Sequence, residues 1–300
     1  MIGVDLGGST IRAAVVDGSG TIVARVQRPT PLDSQADLLA ALEAAIGELL
    51  GPEVAAIGVA VPSRIDRARG RAVSSTNVPL GDLDLRDVLA RRCDRLVEIE
   101  NDATAAAIGE WQLGAGRGVR NMVMLTLGTG IGGGLILDGR PYRGTTGAAG
   151  EIGHIVVDLD GPRCQGTCTG RGHLEGLASG TAADALAREL FGPAADAHTL
   201  VAAAEAGNAA AVAALERIGR YLGAGIASLV NLLEPELIVI GGGFAAAGGL
   251  LLDPARLVLA RDGLTPGRDT VRIALAELGP DAGLVGAALV GREALAAAPG

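Results

Sequence analysis

Short runs of apolar and β-branched residues alternate along the chain with longer segments whose apolar positions recur every three or four residues. The short runs are typical of buried strands, and the longer segments are typical of helices packed on a sheet. The predicted strands are 2–5, 11–17, 21–26, 55–61, 96–99, 237–240 and 271–275. The predicted helices are 35–50, 85–92, 103–111, 182–191, 200–206, 209–233 and 282–297. This alternation indicates the α/β fold class.

The first pair of strands is repeated later in the chain. When Met1 is aligned with Met122, an offset of 121, eighteen residues pair without a gap. In both copies an apolar strand enters a glycine-rich turn, where backbone N–H groups can approach a phosphate closely. The repeat predicts two similar domains with a cleft between them. An alternative stays open, because glycine-rich hairpins are common and two of them can share turn chemistry by chance.

The composition narrows the possible functions. With 300 residues, 49% of them hydrophobic, the chain can fill two cores of ordinary size. All 25 basic residues are arginine, which excludes the P-loop lysine, the protein-kinase lysine and Schiff-base chemistry. The net charge of −9 argues against a nucleic-acid partner, and the absence of a long apolar run argues against a membrane partner. The first residues do not resemble a signal peptide, and the chain has only three cysteines. Both observations predict a cytoplasmic location.

Five ordered motifs resemble those of one protein family. They are Asp5-Leu6-Gly7-Gly8-Ser9-Thr10, residues 127–134, Gly150-Glu151-Ile152-Gly153-His154, residues 236–243 and residues 283–288. Together they resemble the ROK family (repressors, open reading frames and sugar kinases), which belongs to the actin-like ATPase superfamily. The resemblance covers nearly the whole chain and therefore has implications for the fold, the ligands and the site residues.

For the fold, the resemblance implies two RNase H-like α/β domains with an interdomain cleft. The N-terminal domain would comprise residues 1–108 plus 283–300, so that the C-terminal helix packs back on it. The C-terminal domain would comprise residues 109–282 and carry the zinc-loop insertion. Members of the family are usually dimeric, which implies a homodimer.

For the nucleotide, the resemblance implies ATP on the C-terminal side of the cleft and a Mg²⁺ ion. The two glycine turns would hold the phosphates, and residues 241–243 would lie against the adenosine. Asp5 would orient the Mg²⁺ complex, although an aspartate at such a place can also cap its own turn. The residues assigned to nucleotide binding are Asp5, Gly7, Gly8, Ser9, Thr10, Thr126, Gly128, Thr129, Gly130, Gly241, Gly242 and Gly243.

For the sugar, the resemblance implies a general base at Asp102, which would accept the proton of the reacting hydroxyl. From the sequence alone Asp102 could equally be the N-cap of the following helix. Glu98 and Glu100 are interpreted as ordinary acids at the end of a strand. Ser63 departs from the family's Pro-Gly string, and a side chain there is expected to affect which sugar fits. The positions that match the family's sugar ligands are Asn77, Asn101, Asp102, Glu151, His154 and Glu175.

Histidine and cysteine cluster in one short segment of a chain that has three of each. Members of the family often hold a structural Zn²⁺ with one histidine and three cysteines. Here His173 stands where a cysteine is usual, and Cys164 lies two positions before the usual cysteine. We interpret His154, Cys164, Cys168 and His173 as a tetrahedral zinc site with an altered ligand set. The alternative is a relic of such a site that holds no metal.

The expected function is an ATP- and Mg²⁺-dependent hexose kinase that phosphorylates glucose at its 6-hydroxyl. Fructose, mannose, allose and N-acetylmannosamine remain alternative acceptors, and polyphosphate remains an alternative donor. A sugar-sensing repressor is disfavoured by the acidic charge and by the four residues ahead of Asp5, which leave no room for a DNA-binding domain. A non-catalytic sugar-binding protein is disfavoured because Asp102 and both phosphate turns are retained.

Overall fold

The computed structural model describes residues 1–75 and 77–298, which divide into two units. Unit 1 comprises Met1–Gly118, Gly134–Gly150 and Ala276–Gly300, and unit 2 comprises Val119–Gly133 and Glu151–Leu275. Residues 299 and 300, with which the predicted N-terminal domain ends, lie outside the described residues, as does residue 76.

Within the described residues, every strand and helix predicted from the sequence is present, with ends that differ by a few residues. The strands are β1 Ile2–Leu6, β2 Thr10–Val16, β3 Ile22–Pro29, β4 Ala56–Val61, β5 Arg64–Asp66, β6 Arg71–Ser74, β7 Gly81–Leu83, β8 Leu96–Asn101, β9 Met122–Leu127, β10 Ile131–Leu137, β11 Arg140–Pro141, β12 Leu237–Gly241 and β13 Arg272–Leu275. The helices are α1 Gln35–Gly47, α2 Leu85–Cys93, α3 Asp102–Leu113, α4 Leu174–Ala178, α5 Gly180–Phe191, α6 Ala197–Glu205, α7 Ala209–Leu233, α8 Gly249–Asp262, α9 Gly267–Thr270 and α10 Ala282–Ala297.

The sheet of unit 1 has the strand order β3-β2-β1-β4-β8. β1 pairs antiparallel with β2 and parallel with β4, which in turn pairs parallel with β8. β1 and β4 are buried along their whole length, because helices cover both faces of the sheet. One face carries large apolar residues of β1, such as Ile2 and Val4, packed with α1 and α2.

The opposite face of this sheet is covered by α3 and α10. Here small residues replace large ones, so that helix and strand backbones approach closely. A side chain at Gly58 in β4 would collide with the carbonyl oxygen of Ala287 in α10. The expectation that the C-terminal helix packs back on the N-terminal sheet is therefore confirmed.

The second sheet has the order β11-β10-β9-β12-β13. β12 lies between β9 and β13 and is parallel to both. The helices α4–α8 belong to unit 2, where the long helix α7 packs against α8, α6 and α4. The expected α/β fold class is thus confirmed. Within residues 1–75 and 77–298, we find no helix with the length and apolar character needed to cross a membrane.

Candidate active site

The first glycine turn joins β1 to β2 in unit 1. The Gly7 N–H donates to the Thr10 carbonyl oxygen at 2.9 Å, which closes the turn. Thr30, the residue after β3, supports it, with its hydroxyl donating to the Gly7 oxygen at 2.8 Å and its N–H to the Ser9 oxygen at 3.0 Å. Gly8 and Ser9 are left exposed at the tip of the turn. Their exposure leaves room for an anion beside the backbone.

Asn77 lies beside this turn. A Cβ atom placed on Gly8 would stand 3.7 Å from the Asn77 Cβ atom, an ordinary van der Waals distance. The structure thus brings one candidate sugar ligand next to one candidate phosphate-binding residue within unit 1.

Asp5 is buried near the end of β1 and forms an ion pair with Arg12 of β2. Arg12 also donates to the Pro280 carbonyl oxygen at 2.7 Å, which fixes its guanidinium. Burial raises the pKa of the Asp5 carboxyl above its ordinary value, and the charge and hydrogen bond of Arg12 oppose that rise. The Asp5 carboxylate is therefore held by an ion pair and does not cap its own turn through any hydrogen bond found among the described residues.

Asn101 and Asp102 stand where β8 ends and α3 begins. The N-cap is Asn101, whose side-chain oxygen accepts from the Thr104 N–H at 3.0 Å. The Asn101 amide donates to Asp102 Oδ1 at 3.0 Å, and the same oxygen accepts from the Ala103 N–H at 2.9 Å. The capping role that the sequence left open for Asp102 therefore belongs to Asn101, and Asp102 is the first residue of the helix.

Ser63 stands where the family's Pro-Gly string would place a glycine. It is buried, and its hydroxyl lies 2.9 Å from the carbonyl oxygens of both Arg64 and Ser74. The side chain therefore ties β5 to the end of β6. Its own carbonyl oxygen lies 3.5 Å from the Asn101 amide nitrogen, so this departure is next to a candidate sugar ligand.

Glu100 is a finding that sequence reasoning missed. It is only 2% exposed, and its carboxylate accepts from Arg67 Nη1 at 2.9 Å and from Arg143 Nε at 2.6 Å. The interpretation of Glu100 as an ordinary acid at a strand end is wrong. Its partners lie 33 and 43 residues away along the chain, so no local signal in the sequence could have revealed them.

The second glycine turn follows β9 in unit 2 and is hydrogen-bonded to the first residues of α5. The Gly128 N–H donates to the Gly130 oxygen at 2.9 Å. The Gly128 oxygen accepts from the Gly180 N–H at 2.8 Å, and the Thr129 oxygen accepts from the Thr181 hydroxyl at 2.8 Å. Carbonyl groups of this turn are thus occupied by protein donors.

Glu175 in α4 connects the second turn to the histidine and cysteine cluster. Its Oε2 atom accepts from the Ile131 N–H at 2.9 Å, and its Oε1 atom lies 3.8 Å from Cys164 Sγ. A side chain on Gly130 would collide with Oε2, so the close approach of this carboxylate requires glycine there. The candidate sugar ligand Glu175 therefore also positions the candidate phosphate turn.

Residues 241–243 are the last residue of β12 and the two that follow it, and they lie beside the second glycine turn. Gly241 pairs with Thr126 of β9. Gly242 has a φ of +85°, and a side chain on it would collide with the Leu127 oxygen. Gly243 is exposed, with no atom within 4 Å of a Cβ placed on it. The exposed backbone of Gly243 offers a surface on which a flat ring could lie.

The four predicted metal ligands come together in unit 2. His154 Nδ1 lies 3.2 Å from His173 Nδ1 and 3.6 Å from Cys164 Sγ, and Cys168 Sγ lies 3.6 Å from His173 Nδ1. All four ligand atoms lie within 4.8 Å of one another. In a tetrahedral zinc site, bond lengths of about 2.0 to 2.3 Å give edges of about 3.3 Å between nitrogens and about 3.6 Å between nitrogen and sulfur. The donor set and its spacing therefore fit Zn²⁺.

The surroundings of the Cys164 thiol affect its protonation. Burial raises the pKa of the Cys164 thiol to about 11, so a thiolate at neutral pH needs a cation beside it. Glu151 lies at the edge of the cluster, with its carboxylate 3.8 Å from His154 Nε2. Among the predicted site residues of unit 2, His154, Glu151 and Glu175 are thus grouped around the candidate metal centre.

Comparison with known proteins extends these local features to the whole chain. The model of the ROK family matches residues 1–294. A glucokinase of Streptomyces coelicolor is 36% identical over 311 residues, covering 97% of each chain. An N-acetylmannosamine kinase of Yersinia pseudotuberculosis is 35% identical over 295 residues, covering 98% of this chain and 99% of that protein. The crystal structure of a ROK family glucokinase from Streptomyces griseus in complex with glucose and AMPPNP matches with a TM-score of 0.85 and 34% identity, covering 98% of this chain and 99% of the other.

Proposed function

Because the chain belongs to the ROK family, we propose that it is an ATP-dependent sugar kinase that phosphorylates glucose. The observation that carries the proposal is the 36% identity to a glucokinase over 97% of both chains. The geometry within each unit agrees with it, since two glycine turns offer backbone N–H groups and a half-buried carboxylate stands at a strand end. Phosphoryl transfer needs these elements: phosphate positioning and a group that accepts the proton of the attacking hydroxyl.

In this proposal Asp102 is the general base for the sugar hydroxyl. The Asn101 amide and the Ala103 N–H hold its Oδ1 atom, so the carboxylate is oriented before the substrate arrives. Such orientation lowers the entropic cost of reaching the reactive geometry. The sugar hydroxyls would be bound by Asn77, Asn101, Glu151, His154 and Glu175, because buried hydroxyls need hydrogen-bond partners.

The nucleotide would be bound by the two turns, by Thr126 and by residues 241–243. ATP brings Mg²⁺ with it, and Asp5 would orient that complex from the end of β1. Its buried ion pair with Arg12 fixes the direction of the carboxylate. These residue roles, like those at the sugar, are part of the proposal.

The function is tested by measuring sugar-dependent ADP release from the purified protein over a panel of acceptors. We expect glucose to give the highest kcat/KM among glucose, fructose, mannose, allose and N-acetylmannosamine. A clear preference for N-acetylmannosamine would favour the activity of the Yersinia relative, and Ser63→Gly would then show whether the Ser63 side chain sets the choice. Sugar phosphorylation with polyphosphate but not with ATP would contradict the assignment of the donor. ADP release that does not respond to any sugar would contradict the function itself.

The proposal includes a structural zinc ion bound by His154, Cys164, Cys168 and His173. The ion would hold the loop that carries His154 against α4 and so orient Glu175. Elemental analysis is expected to find one zinc per chain in the wild-type protein and much less in His173→Gln. His198→Gln is the matched control, because His198 is an exposed histidine of the same unit outside the cluster. Wild-type protein without zinc would favour the relic site.

A homodimer is also part of the proposal. Leu232, Leu257 and Leu264 in unit 2 are between 67% and 78% exposed, and the Leu264 N–H donates to Asn231, the residue before Leu232, at 2.7 Å. A contiguous exposed apolar patch often marks an interface. Sedimentation velocity is expected to give twice the mass of one chain, and a monomer at micromolar concentration would contradict this. The domain limits 1–108 plus 283–300 and 109–282 stay a prediction, as does the cytoplasmic location.

A further inference from the structure

Glu100 carries a buried charge that the proposed mechanism does not use. A carboxylate that loses nearly all contact with water is costly unless charged or polar partners compensate it. Glu100 has such partners in Arg67 and Arg143, both within 2.9 Å. The cluster lies wholly within unit 1, on the residue that precedes Asn101 and Asp102.

The cluster joins segments that are far apart in the sequence. Arg67 belongs to the connection between β5 and β6, and Arg143 follows β11. Arg143 also pairs with Glu293 of α10 at 3.2 Å. Burial alone would lower the pKa of Arg143, but the carboxylates of Glu100 and Glu293 raise it, so the guanidinium remains charged. The ion pairs therefore connect both segments and α10 to the end of β8.

The segments that supply the two arginines border open space. Residues 66–68 and 141–147 line an open cavity of about 630 Å³. The segments approach each other where Gly147 lies against the Ile65 carbonyl oxygen, and the arginine of each segment contacts Glu100. Removing its charge would leave two guanidinium groups without their shared partner.

A continuous series of hydrogen bonds leads from Glu100 to Asp102. The second oxygen of Glu100 accepts from the Asn101 N–H at 3.1 Å. The Asn101 side chain caps α3 at Thr104 and donates to Asp102 Oδ1. Asn101 is hydrogen-bonded to Glu100 through its backbone N–H and to Asp102 through its side-chain amide. A shift of Glu100 therefore moves the amide that orients Asp102.

We infer that Glu100 is a positioning residue that sets the orientation of Asp102 through Asn101, and that Arg67 and Arg143 hold Glu100 in place. This inference rests on the proposed function, since it assigns a role toward the proposed base. It predicts that loss of the Glu100 charge lowers kcat even when the protein remains folded. A misplacement of a reacting group by about 1 Å can cost about 100-fold in rate, so we expect a loss of about 10- to 100-fold.

The first test compares Glu100→Gln with Glu98→Gln. Glu98 lies on the same strand and is partly buried. Among the side-chain hydrogen bonds found in the described residues, its carboxylate accepts only from the N–H of its neighbour Ile99. We expect Glu100→Gln to lower kcat about 10- to 100-fold, with the KM for ATP within about twofold, and Glu98→Gln to change neither. Glu100→Asp keeps the charge and is expected to recover part of the loss.

The second test separates positioning from a general loss of structure. If Glu100 acts through Asp102, the Glu100→Gln change should lower kcat in the wild-type background but leave the residual rate of Asp102→Asn within about twofold. A merely structural role would lower both rates by the same factor. Circular dichroism and the thermal unfolding midpoint establish that each variant is folded. If Glu100→Gln does not fold, Arg67→Met removes one partner, leaves the Arg143 pair, and is put through the same cycle.

The outcomes distinguish the inference from the function on which it rests. Equal losses in both backgrounds, or a kcat of Glu100→Gln equal to that of Glu98→Gln, overturn the positioning role and leave the sugar kinase intact. A wild-type protein without sugar-dependent ADP release overturns the proposed function, before any variant is made. A loss confined to the background with an intact Asp102 supports the inference.

Discussion

The two sheets have the same strand order but carry different chemistry at corresponding places. At the offset of 121 residues, β2 corresponds to β10 over its whole length, so the repeat seen in the sequence is a repeat of the fold. Asp5 of the first sheet corresponds to Thr126 of the second, and Arg12 corresponds to Gly133. The first hairpin thus carries a buried ion pair where the second carries an uncharged hydroxyl and no side chain.

The turns that follow these strands are also held differently. In unit 1 the threonine that follows β3, Thr30, contacts the first turn at two places. In unit 2 the turn is held by Glu175 of α4 and by the first residues of α5. The comparison teaches that candidate anion-binding turns at corresponding places in the repeat are closed by different backbone hydrogen bonds, from the Gly7 N–H to the Thr10 oxygen and from the Gly128 N–H to the Gly130 oxygen, and have different supports. The ionisable groups proposed for the reaction and for Mg²⁺ are concentrated in unit 1.

The largest expected effect concerns Asp102, the strand-end carboxylate of unit 1. If the reacting carboxylate belongs to unit 1 and the carboxylates of unit 2 bind sugar, Asp102→Asn should lower kcat by about 10² to 10⁴, the usual contribution of a general base. Glu151→Gln should instead raise the KM for the sugar by about 10-fold, the cost of about one hydrogen bond to a charged group. Steady-state kinetics with saturating ATP measure both. A kcat of Asp102→Asn within severalfold of the wild-type value would contradict this division of roles between the two units.

The next prediction uses the ion pair that only the first hairpin has. Burial raises the folded-state pKa of Asp5 above the ordinary value of 3.8, so its contribution to stability is present when the carboxyl is protonated and is lost as the pH rises through the folded pKa. Asp5→Asn cannot ionise and avoids this loss. It should therefore gain stability relative to wild type as the pH rises above about 4, while its kinase activity falls because Mg²⁺ is no longer oriented.

Asp17, in the turn that joins β2 to β3, provides a control of opposite sign in the same sheet. Hydrogen bonds from the Ser19 hydroxyl and the Thr21 N–H lower the pKa of this exposed carboxyl. Its contribution to stability is therefore present at neutral pH and lost as the pH falls through the folded pKa. Asp17→Asn should lose stability relative to wild type as the pH rises. Thermal unfolding at several pH values measures both variants, and parallel curves for the two would contradict the assignment for Asp5.

The sequence predicts the sheets well and the ion pairs poorly, for a physical reason. Strands such as β1 and β9 are short, mostly apolar runs that end at a glycine, a local pattern that is visible without the fold. β5 and β7 are short and carry Arg64, Asp66 and Asp82, so they show no apolar run. The helix α8 begins with Gly249, has Gly248 as its N-cap and contains Pro254, so helix propensity does not predict it.

The candidate site shows the same limit. The grouping of the four candidate metal ligands could be predicted, because they are rare residues close together in the sequence. The role of Asn101 as N-cap required the coordinates, since Asn and Asp are both good caps and stand side by side. The partners of Glu100 come from two distant segments, so the burial of its charge follows from the tertiary fold alone.

The third prediction compares two glycines of the second turn. A methyl group on Gly130 meets Glu175 Oε2, whereas a methyl group on Gly128 has no atom within 4 Å. Gly130→Ala should displace the carboxylate from the Ile131 N–H and cost about 1.5 kcal/mol, the value of a hydrogen bond to a charged group. Gly128→Ala should raise stability by about 0.4 to 1 kcal/mol, because it reduces the freedom of the unfolded chain. Urea unfolding of the full chain measures the free energy of unfolding of both variants. Changes of the same sign in the two variants would mean that Glu175 does not support the turn.

The smallest effect concerns the threonines that support the two turns. Each donates its hydroxyl to a turn carbonyl at 2.8 Å, Thr30 to Gly7 and Thr181 to Thr129. Thr30 is buried at 9% exposure, so Thr30→Val leaves the Gly7 oxygen without its donor away from water and should cost about 1 kcal/mol. The Thr181 bond is exposed to solvent, where water replaces the hydroxyl, and Thr181→Val should change the free energy of unfolding by less than about 0.5 kcal/mol. Equal costs would mean that exposure to solvent does not weaken the Thr181 hydrogen bond relative to the buried bond of Thr30.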